Sequence, residues 1–500
     1  MSNKVSIRRL ATGVPGLDEV LGGGIPEFSF NLIVGAPGSG KTTLAHQIMF
    51  ALATPEKPAL FFTVLGETPL KMLRYQQQFS FFDLAKVNQS IHFINISDDV
   101  ATGNFDTVMS RIAKEIKAYS AGLVFVDSFR SIIINLQHLA NKPLSTEEFV
   151  HKLGNQMSSW QATTFLIGEY VKENDANPVF AVADGLLMLT QNVHRNSMVR
   201  QIQVLKMRGQ PTRPGMHTFR ITNAGLQIFP AIVIHDDPVA HANHTRIFQA
   251  KSRLSMGIPQ LDEMLGGGLP EGYSLLVAGP SGSGKTILAT AFLTAGLERG
   301  EPGVIVAFEQ TPSQSWNPAI DDMVRSGKIG LINTRSLDLC IDEIVQHLTT
   351  TIHKMKAKRV VIDSLSGFEL AVAPTFREDF RESLFRMVAL LAGLGVTVLM
   401  TSELEDRYTD LRFSPYGSAF LTDAIVVQRY IEVRSNLQRV MSVVKVRSSN
   451  HSKAIRSYEI TDEGLVIGDL MLDYEGLLGG QPTLSTQNTA IPPYDGDRLI

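Results

Sequence analysis

Two short glycine-rich segments, GAPGSGKT at 35–42 and GPSGSGKT at 279–286, match the spacing G-x-x-x-x-G-K-[ST] at every fixed position. Such a segment does one kind of chemistry. Its glycines let successive backbone N–H groups curl into a concave nest around anionic oxygens. The helix that follows adds its positive end. On this reading Gly38, Ser39, Gly40 and Lys41 cradle a triphosphate in the first copy, and Gly282, Ser283, Gly284 and Lys285 in the second. Lys41 and Lys285 reach the outer phosphates, and the hydroxyls of Thr42 and Thr286 face Mg²⁺. Thr43 and Ile287 open the helices and complete the two binding sets.

Hydrolysis also needs acids at strand ends. GLVFVDS at 122–128 and RVVIDS at 359–364 are apolar runs closed by Asp127 and Asp363. In each half they follow a phosphate loop, where such an Asp meets Mg²⁺ or its water. A second acid position follows LFFTVLGETP at 60–69 and VIVAFEQTP at 304–312. A carboxylate there can orient an attacking water and take its proton, which makes Glu67 and Glu309 the candidate bases. Glu309 is also counted among the metal-facing acids.

These groups must be positioned by strands and helices. FNLIV at 30–34 and YSLLVA at 273–278 read as strands entering the loops, and helical patterns leave them. Further apolar runs alternate with helix-like segments, which predicts an α/β fold with a mostly parallel sheet covered on both faces. Functional groups then collect at the strand ends.

The chain repeats itself. Sliding it by 244 positions, the separation of Lys41 and Lys285, lays GVPGLDEVLGGGIPE at 13–27 on GIPQLDEMLGGGLPE at 257–271. Near the ends, FRITNAGL at 219–226 resembles YEITDEGL at 458–465. Two tandem domains are expected, 1–235 and 251–478, joined by a linker at 236–250 and followed by a flexible tail at 479–500. Each is long enough to bury its own core. The formal net charge is −3, so no basic footprint argues for nucleic acid. The single cysteine suits a reducing compartment. No apolar run approaches the roughly 18 residues that span a bilayer, and the expected setting is the cytoplasm.

Together these landmarks resemble the KaiC family, clock-type ATPases and autokinases of the RecA-like superfamily. The resemblance covers nearly residues 8 to 480, through LDxxLGGG before each loop, the acid after the second strand and the Asp-Ser pairs. TTFLIGE at 163–169 and TVLMTSE at 397–403 are similar to the family's next strand. KMRG at 206–209 and KVRSSNH at 445–451 are similar to its late basic motif. The resemblance implies two tandem RecA-like domains, a homohexameric double ring, a regulatory protein partner, and ATP between neighbouring subunits. It further implies that Lys206, Arg208, Lys445, Arg447 and His451 reach ATP across the subunit boundary. Charge builds on phosphate oxygens during transfer, and cations supplied in trans stabilise it.

Two departures stand against that pattern. Where the family has paired glutamates, this chain has Gly66-Glu67 and Glu309-Gln310, so the first site lacks the leading acid. Where clock members carry a Ser-Thr pair before Thr-Asp, this chain has Ala419 and Phe420 before Thr422 and Asp423. The two-site phosphorylation cycle cannot run on those positions. Ser414, Ser418 and Thr422 remain as nearby hydroxyls for a relocated or residual autokinase. Two other readings compete with a hydrolysing ATPase: a RecA/RadA-like DNA-dependent ATPase, and a nucleotide-bound scaffold with little catalysis.

Overall fold

The computed structural model describes residues 7–64, 69–139, 161–169, 178–194, 197–232, 252–308, 318–333, 339–377, 380–404, 421–479 and 482–484. The chain divides into two compact units between Ala231 and Ile232. Glu67, Glu309, Ser414, Ser418 and the linker at 236–250 lie outside the described residues.

The first unit is built on nine strands: β1 Phe30–Gly35, β2 Ala59–Thr63, β3 Ile91–Asn95, β4 Leu123–Asp127, β5 Thr163–Glu169, β6 Gly185–His194, β7 Ser197–Met207, β8 Met216–Thr222 and β9 Gly225–Phe229. Their spatial order is β9-β8-β7-β6-β1-β5-β4-β2-β3. The strands from β6 across to β3 run parallel, and β7, β8 and β9 extend the sheet antiparallel. The second unit repeats this with β10 Ser274–Gly279, β11 Gly303–Ala307, β12 Ile329–Asn333, β13 Arg359–Asp363, β14 Thr397–Glu403, β15 Ala424–Val433, β16 Asn436–Val446, β17 Ile455–Thr461 and β18 Gly464–Leu470. Its order is β12-β11-β13-β14-β10-β15-β16-β17-β18. These are tandem RecA-like α/β sheets.

Both faces of each sheet are buried, so the parallel strands are apolar throughout rather than alternating. In β1, Leu32 and Val34 enter one core while Ile33 enters the other. Helix α1, Lys41–Leu52, covers the second face through Leu44, Ala45, Ile48 and Met49. Helix α2, Phe105–Tyr119, covers the first through Val108, Met109, Ile112 and Ile116. In α2 the apolar residues recur every three or four positions, and Asn104 caps its start by accepting from the N–H groups of Asp106 and Thr107.

The LDxxLGGG repeat is a short helix, Leu17–Leu21 in the first unit and Pro259–Met264 in the second, closed by a glycine turn. Asp18 accepts from the N–H and hydroxyl of Thr12 at 2.9 and 2.7 Å, and its own carbonyl receives the Gly23 N–H. Asp262 does the same with the Met256 N–H, the Ser255 hydroxyl and the Gly267 N–H. Within the stretch read as a tail, Thr483–Leu484 pairs with Tyr474–Glu475.

Candidate nucleotide sites

The order of strands makes the site. β1 leaves the sheet between β5 and β6, and the phosphate loop runs from its tip to α1. Gly40 caps α1 with φ of 99°, and Gly284 caps helix α3, Lys285–Glu298, with φ of 93°. That left-handed geometry turns the chain from loop into helix and is open to glycine at little cost.

At the first loop, Lys41 is largely buried and its Nζ donates to the Ala36 carbonyl at 2.8 Å. Burial pushes its ammonium below the ordinary lysine range, while Glu169 and Asp127 act in the opposite sense. The Thr42 hydroxyl donates to Asp127 Oδ2 at 2.7 Å. At the second loop, Lys285 donates to the carbonyls of Gly279 and Pro280 at 2.9 and 2.7 Å. It is lowered by burial in the same way, against Glu403 and Asp363. The Thr286 hydroxyl donates to Asp363 Oδ2 at 2.9 Å, and Thr401 donates to the other carboxylate oxygen. The Asp127–Ser128 and Asp363–Ser364 peptides are both cis.

A cavity of about 500 Å³ opens on the first loop, lined by Gly38, Lys41, Thr42, Asp127, Glu169 and Gln76 among others. A backbone nest, a desolvated lysine and a hydroxyl–carboxylate pair of hard oxygens fit a triphosphate with Mg²⁺. The structure therefore brings together Gly38, Gly40, Lys41, Thr42, Thr43 and Asp127 around this cavity. Ser39 is buried beneath the loop. Gly282, Ser283, Gly284, Lys285, Thr286 and Asp363 take the equivalent places, with Ile287 packed against the core.

The late basic residues sit elsewhere. Lys206 donates to the carbonyls of Phe180 and Ala181 at 3.3 and 2.8 Å, and Arg208 pairs with Asp184 at 3.2 Å. Asp184 in turn accepts from the N–H of Phe30, the first residue of β1. The second unit repeats this: Lys445 donates to Thr422 O at 2.6 Å, Arg447 pairs with Asp423 at 3.2 Å, and Asp423 holds the N–H of Ser274. Burial lowers the pKa of both lysines, aided by the adjacent arginines and opposed by Asp184 and Asp423 respectively. These cations stand at the far end of the strand from their own loop, roughly 15 Å along it. His451 Nδ1 lies 3.4 Å from the Ser449 carbonyl. Thr422 is fully buried.

Sequence reasoning assigned no role to Glu169 and Glu403. Each ends the strand paired beside the phosphate loop, opposite Gly35 and Gly279. The signal was available: both equivalent strands close on an acid at the same place.

Fold and loops together define a protein of two tandem RecA-like P-loop domains, each with a candidate nucleotide site. A model of the family described as "ATPase: KaiC" matches residues 10–232 and again 254–471. The chain belongs to the KaiC ATPase family. It is 28% identical to the circadian clock oscillator protein KaiC of Picosynechococcus sp. over 497 residues, covering 95% of this chain and 93% of the relative. It is 27% identical to KaiC 1 of Synechocystis sp., covering 95% and 92%. Against KaiC of Synechococcus elongatus it is 27% identical, covering 97% and 94%.

Proposed function

We propose that this protein is a cytoplasmic homohexameric double ring that binds Mg·ATP at both loops and hydrolyses it slowly, as a signalling switch read by a protein partner. The reading rests on one observation: in both units a threonine hydroxyl after the loop lysine is bonded to the carboxylate at the tip of the next strand but one in the sheet. That is the pair of oxygen ligands a nucleotide-bound Mg²⁺ requires. Thr42 and Asp127 would hold the ion in the first unit, and Thr286 and Asp363 in the second. Bound there, it neutralises charge on the outer phosphate oxygens.

The chain's own residues do the rest. Lys41 and Lys285, short of solvent, exchange loop carbonyls for phosphate oxygens. Glu309 orients the attacking water and takes its proton in the second unit. In the first, Gly66 stands in the leading position and Glu67 carries that task, so the first ring is the slower one. Lys206, Arg208, Lys445, Arg447 and His451 serve the neighbouring protomer's nucleotide. Their distance from their own loop supports that division, because a lone chain then lacks the cations that stabilise the reacting phosphate.

Hydrolysis rather than self-phosphorylation is the main reaction, since Ala419 and Phe420 carry no hydroxyl and Thr422 is buried. Incubation with γ-labelled ATP tests this. Labelled phosphate should appear in solution with little label on protein. Label retained on protein without release would reverse the order of the two activities, intact nucleotide over hours would favour a scaffold, and DNA-stimulated, salt-sensitive turnover would favour a nucleic-acid motor.

A further inference from the structure

The two phosphate loops share a sequence pattern but are held from behind by different chemistry. In the second unit the hydroxyl of Tyr458, on β17, donates to the Ser283 carbonyl at 2.6 Å. The Ser283 hydroxyl donates to Gln428 Oε1 at 3.0 Å. Tyr430 donates at longer range, 3.4 Å, to the Ser281 carbonyl, and the Arg439 guanidinium lies over the Tyr430 ring at 5.4 Å. Tyr458, Gln428 and Ser283 are all buried, so these bonds are shielded from water.

The first unit keeps the serine, Ser39, but has neither tyrosine nor the glutamine at the equivalent positions. Phe219 pairs with Arg200 as Tyr458 pairs with Arg439, and it stands where the tyrosine hydroxyl would be. Leu189 lies beside Gly35 where Gln428 lies beside Gly279, and Gln191 takes the place of Tyr430. The Ser39 hydroxyl is fully buried with no hydrogen-bond partner among the described residues, whereas its counterpart Ser283 is satisfied.

The consequence follows from peptide geometry. In a trans peptide the carbonyl and the next N–H point in opposite directions. Pinning the Ser283 carbonyl to Tyr458 therefore aims the Gly284 N–H the other way, into the nest that receives phosphate. The Tyr430 bond does the same for the Gly282 N–H. A nest whose donors are already aimed binds with less ordering cost than one that must be aimed by the ligand.

We infer that Tyr458, Gln428 and Tyr430 are positioning residues for the second phosphate loop, and that they make it the tighter and slower-exchanging of the two nucleotide sites. The inference rests on the reading above that both loops take ATP. Its test is binding of a non-hydrolysable ATP analogue with Mg²⁺ to the full chain, with the first site silenced by Lys41→Ala. In that background Tyr458→Phe should weaken the second site about fivefold, the size of one hydrogen bond, with faster release. KM for the remaining turnover should rise more than kcat falls, a split that general destabilisation does not produce. Equal affinity for Tyr458→Phe and its parent overturns the inference. If Tyr458→Phe lowers the melting temperature of the nucleotide-free protein, Gln428→Leu, the residue type of the first unit, replaces it in the same comparison: weaker binding supports the inference and equal affinity overturns it. A parent chain that binds no analogue at all removes the nucleotide reading of the second loop, and the inference with it.

Discussion

His46 makes the first unit acid-sensitive in a way the second is not. It lies one turn after Thr42 on the phosphate-loop helix and is fully buried. Its ring is 4.5 Å from the Phe61 ring and 6.1 Å from that of Phe93. Burial lowers its pKa from 6.5 to about 3, with the Gln76 side chain opposing the shift in part. Between those values the unfolded chain holds a proton here and the folded chain does not. Stability is therefore complete above pH 6.5 and falls as pH drops toward 3, by about 1.4 kcal/mol per pH unit. Between pH 7 and pH 5 the loss from this one residue is about 2 kcal/mol. Thr290 occupies the equivalent place in the second unit and does not titrate. A two-unit chain need not unfold in one step, so hydrogen exchange of the Lys41–Leu52 amides is the suitable assay. The opening free energy of that helix should fall by about 2 kcal/mol from pH 7 to pH 5, and His46→Phe should abolish most of the difference. The same pH slope in His46→Phe as in the parent would refute the reasoning.

Three further outcomes are expected. With the first site silenced by Lys41→Ala, Lys285→Ala should reduce the remaining phosphate release on the order of a hundredfold or more, and unchanged release would remove Lys285 from the site. In the same Lys41→Ala background Arg447→Ala should lose turnover on the order of a thousandfold, as should Glu309→Ala. Mixed hexamers of the two dead variants should regain part of it, because some boundaries then join an intact Glu309 to an intact Arg447; no recovery would place both residues on one protomer's site. Arg359 is fully buried and bonded to Glu301 at 3.0 and 2.8 Å and to the carbonyls of Ser255 and Phe292. Glu301→Ala leaves that charge without its counterion and should destabilise the second unit by about 3–5 kcal/mol, measured by denaturant unfolding.

The strand–loop–helix units, the paired Asp positions and the tandem repeat were legible because each is a local pattern with one stable solution. The sheet order was not, since no residue in β1 announces that its neighbours are β5 and β6. Glu169 and Glu403 become site residues only through that order. The antiparallel extension was equally hidden: β7 and β8 mix polar residues such as Arg200, Gln203 and Arg220 with apolar ones, and nothing in that mix names their neighbours, yet they carry Phe219 behind the first loop as β17 carries Tyr458 behind the second. Their direction also decides where the basic motif lies. Because β7 runs back along β6, Lys206 near its end arrives at the start of β1, away from the loop at its tip. The burial of His46 could not be read either, because α1 is apolar around most of its surface and its pattern marks no solvent face.

In the proposed double ring a neighbouring protomer completes each triphosphate site. Turnover per protomer, measured across the dilution range in which hexamers dissociate and alongside native mass spectrometry, tests it most directly. The rate per protomer should collapse with the hexamer population. A rate per protomer that stays constant when only single chains remain would contradict it.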